Sequence, residues 1–194
     1  MAKIGRHLIT TADERTWKFD RPVLFLGAWC QLYDHKTRWS NVDGKVAAPF
    51  RLETKEKLNN IDYLHILSAK ILVEVTVSLN TVHNTNYSPR YWNILIGHWL
   101  KRYVDVCYNR YFTVEQALKR HKITSTTTLR GLEPSLATYD SMGFMQACDD
   151  DVWNNGLYVR VLQHLGDTDI TFDSIEIKDQ GSFQQERTNL MPFR

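Results

Sequence analysis

The chain has 194 residues, with 24 Lys and Arg against 22 Asp and Glu, a formal net charge of +2 and 43% hydrophobic residues. These values exclude disorder by composition, and with both signs of charge interspersed they argue against a nucleic-acid surface. Such a length buries roughly 70% of the surface exposed by the unfolded chain, enough for a core without metal or disulfide staples.

Three cysteines, Cys30, Cys107 and Cys148, are widely spaced and show no CxxC pattern, so reduced thiols in a cytoplasmic protein are expected. The N-terminus lacks an apolar h-region and no window approaches about 18 uninterrupted apolar residues, so neither a signal peptide nor an integral membrane segment is expected.

Two short strands open the chain, His7 to Thr10 and Val23 to Leu26. The second, VLFL followed by Gly27, is wholly apolar, as a strand buried on both faces in a parallel sheet would be. An irregular stretch, Ala28 to Asn41, leads to a turn signal at Asn41 to Gly44 and a further strand within Val46 to Phe50. Apolar residues at three- and four-residue steps then predict a helix over Glu53 to Val82, with the β-branched run Val73 to Val77 as its weakest part. Ser88-Pro89 is a helix start, and Ile94, Leu95, Trp99, Tyr103, Val104, Cys107 and Tyr111 continue a helical stripe. Thr124 to Arg130 reads as a strand or a linker, and a last helix is expected from Asp150 to Leu165, with Asp149, Asp150 and Asp151 at its positive end. The expected domain covers 1–166, and the aperiodic stretch 167–194 reads as a linker or the start of a truncated remainder.

Three constellations could carry chemistry. Thr11, Asp13, Glu14, Arg15 and Trp17 follow the first strand, where α/β proteins place ligand contacts. Asp13 or Glu14 could act as a general base, Arg15 could bind an anion and Trp17 could stack on a sugar. A capped, solvent-exposed turn is the competing reading. Trp29, Tyr33 and Asp34, with His35, follow the second strand and suit a carbohydrate pocket, whereas Cys30 between them reads as a buried inert thiol. Arg90, Tyr91 and Trp92 lie at a helix N-terminus that favours anions, although Trp92 and Trp99, seven apart, equally suit core packing. The seven histidines show no zinc spacing, and GxGxxG, GxxxxGK[ST] and GxSxG are absent, so no metal or cofactor is expected.

HLITTADERTWKFDRPVLFLGAWCQLYD together with SPRYWNILIGHWLKRYVD resembles the N-terminal region of a bacterial family of surface-polysaccharide transferases first catalogued from Leptospira cell-surface loci. The chain departs from that pattern at Ala28 and His98, where the family carries Glu and Pro. The resemblance implies an α/β fold: the Rossmann-like, acceptor-side half of a two-domain glycosyltransferase, with a short, mainly parallel sheet and long amphipathic helices. It implies a nucleotide-sugar donor, held mainly by a further half, and a glycan acceptor of the cell envelope. The isolated half would then be inactive. A cytoplasmic protein, with a peripheral position at the inner membrane as the variant, follows from the same likeness. Against this stands a non-catalytic glycan- or protein-binding module.

Overall fold

The computed structural model describes residues 4–50, 54–130, 136–165 and 169–177. The chain divides into two compact units, one of Met1–Pro49 with Arg110–Arg194 and one of Phe50–Asn109.

In the first unit, β1 (Arg6–Ile9), β2 (Val23–Phe25), β3 (Gly44–Val46), β4 (Ile123–Arg130) and β5 (Thr171–Glu176) form one parallel sheet in the order β3-β2-β1-β4-β5. The chain builds outward from β1 to β3 on one side, then returns to place β4 on the other. The order therefore reverses between β1 and β4, the place where open α/β sheets leave a crevice at their carboxyl ends. This is the expected Rossmann-like arrangement. The apolar run behaves as its composition requires: Val23, Leu24 and Phe25 are fully buried, because a central parallel strand is covered on both faces. Cys30 is buried too, and burial pushes its thiol pKa up to about 12, so it is an inert thiol.

Thr124 to Arg130 is strand, not linker. Its Thr127 and Ser125 hydroxyls line up on buried His7 of β1, at 3.3 Å from Nε2 and 2.9 Å from Nδ1. Burial lowers the pKa of His7, so its neutral ring is a hydrogen-bonded part of the core. Beyond residue 166 the sheet continues: β5 lies inside the stretch expected as linker and pairs with six residues of β4. Its partly exposed Thr171–Glu176 sequence lacks the apolar run of a central strand, which is why an edge strand escapes a reading based on hydrophobicity. The rest of the 178–194 stretch lies outside the described residues.

Between β4 and β5 run α4 (Ser141–Asp149) and α5 (Asp151–Leu165). Asp140 caps α4 by accepting from the Gly143 N–H at 2.7 Å, and Asp150 caps α5 by accepting from the Trp153 N–H at 2.8 Å. Helix α5 buries nine residues, among them Trp153, Tyr158 and Leu162, with Phe144 of α4 edge-on to Trp153. Between β2 and β3 the chain makes only short turns, the longest being α1 (Lys36–Trp39).

The second unit is built on α2 (Thr54–His83) and the first part of α3 (Pro89–Arg120), whose residues from Arg110 belong to the other unit. Leu64, Leu100 and Val104 form its core with Leu67, Ile71, Leu72, Trp99 and Tyr108. The run Val73 to Val77 is helical, so packing overrides its weak intrinsic preference. Asn80 clamps the turn, because its side-chain amide donates to the Tyr87 carbonyl and its oxygen accepts from the Tyr87 N–H and the Trp92 Nε1–H. Asn84 closes α2 with φ of 50°, a left-handed position that Asn tolerates. By length and composition alone α2 is apolar enough to cross a membrane, reaching a mean hydropathy of 1.2 across its best window, although polar side chains interrupt every apolar run. Leu58, Ile66, Val73 and Val77 along it are exposed.

Candidate functional site

A cavity of about 380 Å³ opens beside the carboxyl ends of β1 and β2. Thr11 and Ala12 after β1, Trp29 and Leu32 after β2, Arg110 of α3, Cys148 and Asp149 at the end of α4, and Asp151, Asn154 and Tyr158 on α5 line it. Each position has a local cause. Trp29 lies against Gly27 so closely that a Cβ there would fall 2.0 Å from the indole, and its Nε1–H donates to the Thr10 carbonyl at 3.1 Å. The ring is thus held at the rim yet about half exposed. Fully buried Asn155 ties α5 to the sheet: its oxygen accepts from the Leu129 N–H at 3.0 Å, and its amide donates to the Thr127 carbonyl and to Thr10 Oγ1. That anchor sets the first turn of α5, and with it Asp151, over the end of β1.

Asp151 accepts from the Ala12 N–H at 3.3 Å and has no ion-pair partner among the described residues. Burial, more than the like charges of Asp13 and Asp150, raises its pKa above the ordinary carboxylate value. Arg110 is held within the protein: its Nε donates to Asn154 Oδ1 at 3.1 Å and its terminal nitrogen to the Cys148 carbonyl at 3.5 Å. Buried Thr11 carries a hydroxyl with no hydrogen-bond partner among the described residues.

The candidate residues read from sequence are partly gathered here and partly dispersed. Thr11 and Trp29 line the cavity. Asp13 and Glu14 do not. Asp13 caps a 3-10 turn, Glu14–Thr16, and both its oxygens are engaged by Arg15, so the segment is the capped turn. Glu14 pairs with His35 and Arg38. Trp17 is a core residue, only 8% exposed and edge-on to Phe25, which removes the expected stacking on a sugar. Tyr33 and Asp34 are exposed, in a 3-10 turn outside the cavity lining.

Arg90, Tyr91 and Trp92 belong to the other unit. Ser88 caps their helix by accepting from the Tyr91 N–H at 3.3 Å, as Ser88-Pro89 foretells. Trp92 is buried against the Asn80 clamp and is not a ligand platform.

Sequence reading missed Arg110, Asp149, Asp151, Asn154 and Tyr158. The acidic triplet signals only a favourable helix start, yet three adjacent carboxylates exceed what one helix dipole needs. Adjacent Asn154 and Asn155, poor helix formers inside an apolar stripe, are the other visible trace.

A family model for LIC12162 family transferases matches residues 6–191. The chain belongs to that family. No curated protein and no solved structure matches it. The transferase therefore has an α/β fold whose strand order opens a crevice, and the cavity with its half-buried Asp151 stands beside it.

Proposed function

We propose that this transferase carries the acceptor side of a glycosyltransferase that moves a sugar from a nucleotide-activated donor to a bacterial surface polysaccharide. The observation that carries the reading is Asp151, an unpaired, half-buried carboxylate in a cavity beside the sheet's carboxyl end. In the proposed step Asp151 takes the proton of an acceptor hydroxyl. The freed oxygen bonds to the anomeric carbon of the donor, and the bond from that carbon to the diphosphate breaks, its electron pair leaving with the nucleoside diphosphate. Two carboxylates face the cavity and its one arginine is already bonded to the protein, so a diphosphate is repelled there and a polyhydroxyl acceptor is favoured. The half-exposed Trp29 ring offers such an acceptor a stacking face.

The direct test incubates the protein expressed from its native gene with a panel of nucleotide sugars and cell-envelope glycans. Expected are release of nucleoside diphosphate and a glycan heavier by one sugar. Acceptor binding with no diphosphate release from any donor would identify a glycan-binding module instead. The same reading places the chain in the cytoplasm. Exposed Val73, Val77, Ile94 and Leu95 on the helical hairpin support contact with the inner membrane surface. Flotation with phosphatidylglycerol vesicles is expected, and its loss in a Val77→Ser/Ile94→Ser double variant would attribute it to these side chains. A protein that stays at the bottom of the gradient would rule the contact out.

A further inference from the structure

Among the described residues Asp149 is a charge without a counterpart. It is the last residue of α4, where the helix dipole favours a cation, and it adjoins two more carboxylates, Asp150 and Asp151. Among the described residues it has no ion-pair partner, yet it is exposed and lines the cavity. Asp150 is used inside the protein as the cap of α5. Asp149 and Asp151 are left to face the space, two residues apart on either side of that cap. A hydroxyl is also available: Thr11, 1% exposed, lines the same cavity, and its Oγ1 has no hydrogen-bond partner among the described residues. A buried hydroxyl without a partner is unfavourable, and a ligand oxygen would satisfy it. The half-exposed indole of Trp29 lines the same cavity, a face that attracts a cation as well as a sugar.

An acceptor that meets these demands is a sugar bearing a free amine beside a hydroxyl. We propose that the cavity takes an amino-sugar acceptor, with Asp149 binding its ammonium while Asp151 and Thr11 engage the neighbouring hydroxyl. This rests on the acceptor-side reading above and adds the substrate class. Acidic sugars are excluded, because a third negative group would face two unpaired carboxylates. A divalent cation is a poorer occupant, since among the described residues no three His, Cys, Asp or Glu side chains gather to hold one.

The experiment titrates the protein, in the presence of a chelator, with methyl glycosides of glucosamine, galactosamine, glucose, galactose and glucuronic acid, following the Trp29 indole N–H by NMR. The amino sugars are expected to bind about fivefold more tightly than the neutral ones, the strength of one partly exposed ion pair, and the glucuronide most weakly. In Asp149→Asn that preference should vanish, the amino sugars falling to the affinity of their neutral counterparts. Equal affinity for amino and neutral sugars, a preference that survives Asp149→Asn, or tightest binding of the glucuronide would each overturn the proposal and leave the glycosyltransferase reading standing. No response to any sugar would overturn both.

Discussion

Replacement of Asp151 by Asn is expected to lower transferase turnover on the order of 10³-fold while the domain stays folded. A positioned general base contributes roughly 10²- to 10⁴-fold, and the amide keeps the shape and the Ala12 N–H contact but cannot take a proton. Burial raises the Asp151 pKa above 3.8, which moves the acid limb of the pH–rate profile upward, since the base works only when ionised. The sign for stability runs the other way. Between its unfolded and its raised folded pKa this carboxyl holds more proton in the folded state, so the stability it confers is present at low pH and is lost as pH rises through the folded value. At neutral pH the charged form therefore burdens the fold, and Asp151→Asn should unfold at a temperature equal to or above that of the parent. Reduced turnover with unreduced Tm separates a chemical role from a structural one. Asp13→Asn, by contrast, keeps an oxygen to accept from the Arg15 N–H and loses only the charge paired with the Arg15 guanidinium, and a loss of less than about tenfold is expected, because a partly exposed ion pair is worth up to about 1 kcal/mol. Full turnover in Asp151→Asn together with a collapse in Asp13→Asn would return the base to the first loop.

That contrast shows what a linear sequence conveys about this site and what it hides. The interior strand β2 was evident because VLFL has no polar interruption, and the helical hairpin because its apolar residues recur at helical steps and Ser88-Pro89 marks a start. The loop after β1 was evident as a place, since polar residues directly after a buried strand are exposed at the sheet's end. Their division of labour was not. Asp13 and Glu14 look alike in sequence to Asp151, and only folding shows that Arg15 engages the first and Arg38 and His35 the second, while α5 delivers the third without an ion-pair partner among the described residues. Trp17 and Trp29 are equally alike as letters; one is buried against Phe25 and the other lies half exposed on Gly27. Edge strand β5 was lost because it lacks the apolar run of a buried strand, and Arg110 because its role depends on residues 38 and 44 positions away.

Truncation of Asn155 to Ala is expected to be the most damaging single change to the unit that holds the cavity. The side chain is fully buried and satisfies three partners: the Leu129 N–H and the Thr127 carbonyl on β4 and Thr10 Oγ1 directly after β1, the two strands that flank the reversal in sheet order. Alanine strands a buried amide N–H and a carbonyl and opens a void, for a combined cost of about 3–4 kcal/mol and a Tm fall on the order of 10 °C. Asn155→Leu is the informative companion, because it fills the volume and still abandons every hydrogen bond. If packing were what matters, Leu would restore stability; the expectation is that it recovers less than half, since the buried donors and acceptors stay unmet. The consequence reaches the chemistry by a short path. Asp151 lies one turn before Asn155 on α5, so loosening this anchor frees the base from its place above Ala12. Either variant, assayed well below its own Tm, should therefore lose turnover out of proportion to the fraction unfolded. Turnover that tracks the folded fraction would show that the anchor stabilises α5 without positioning Asp151.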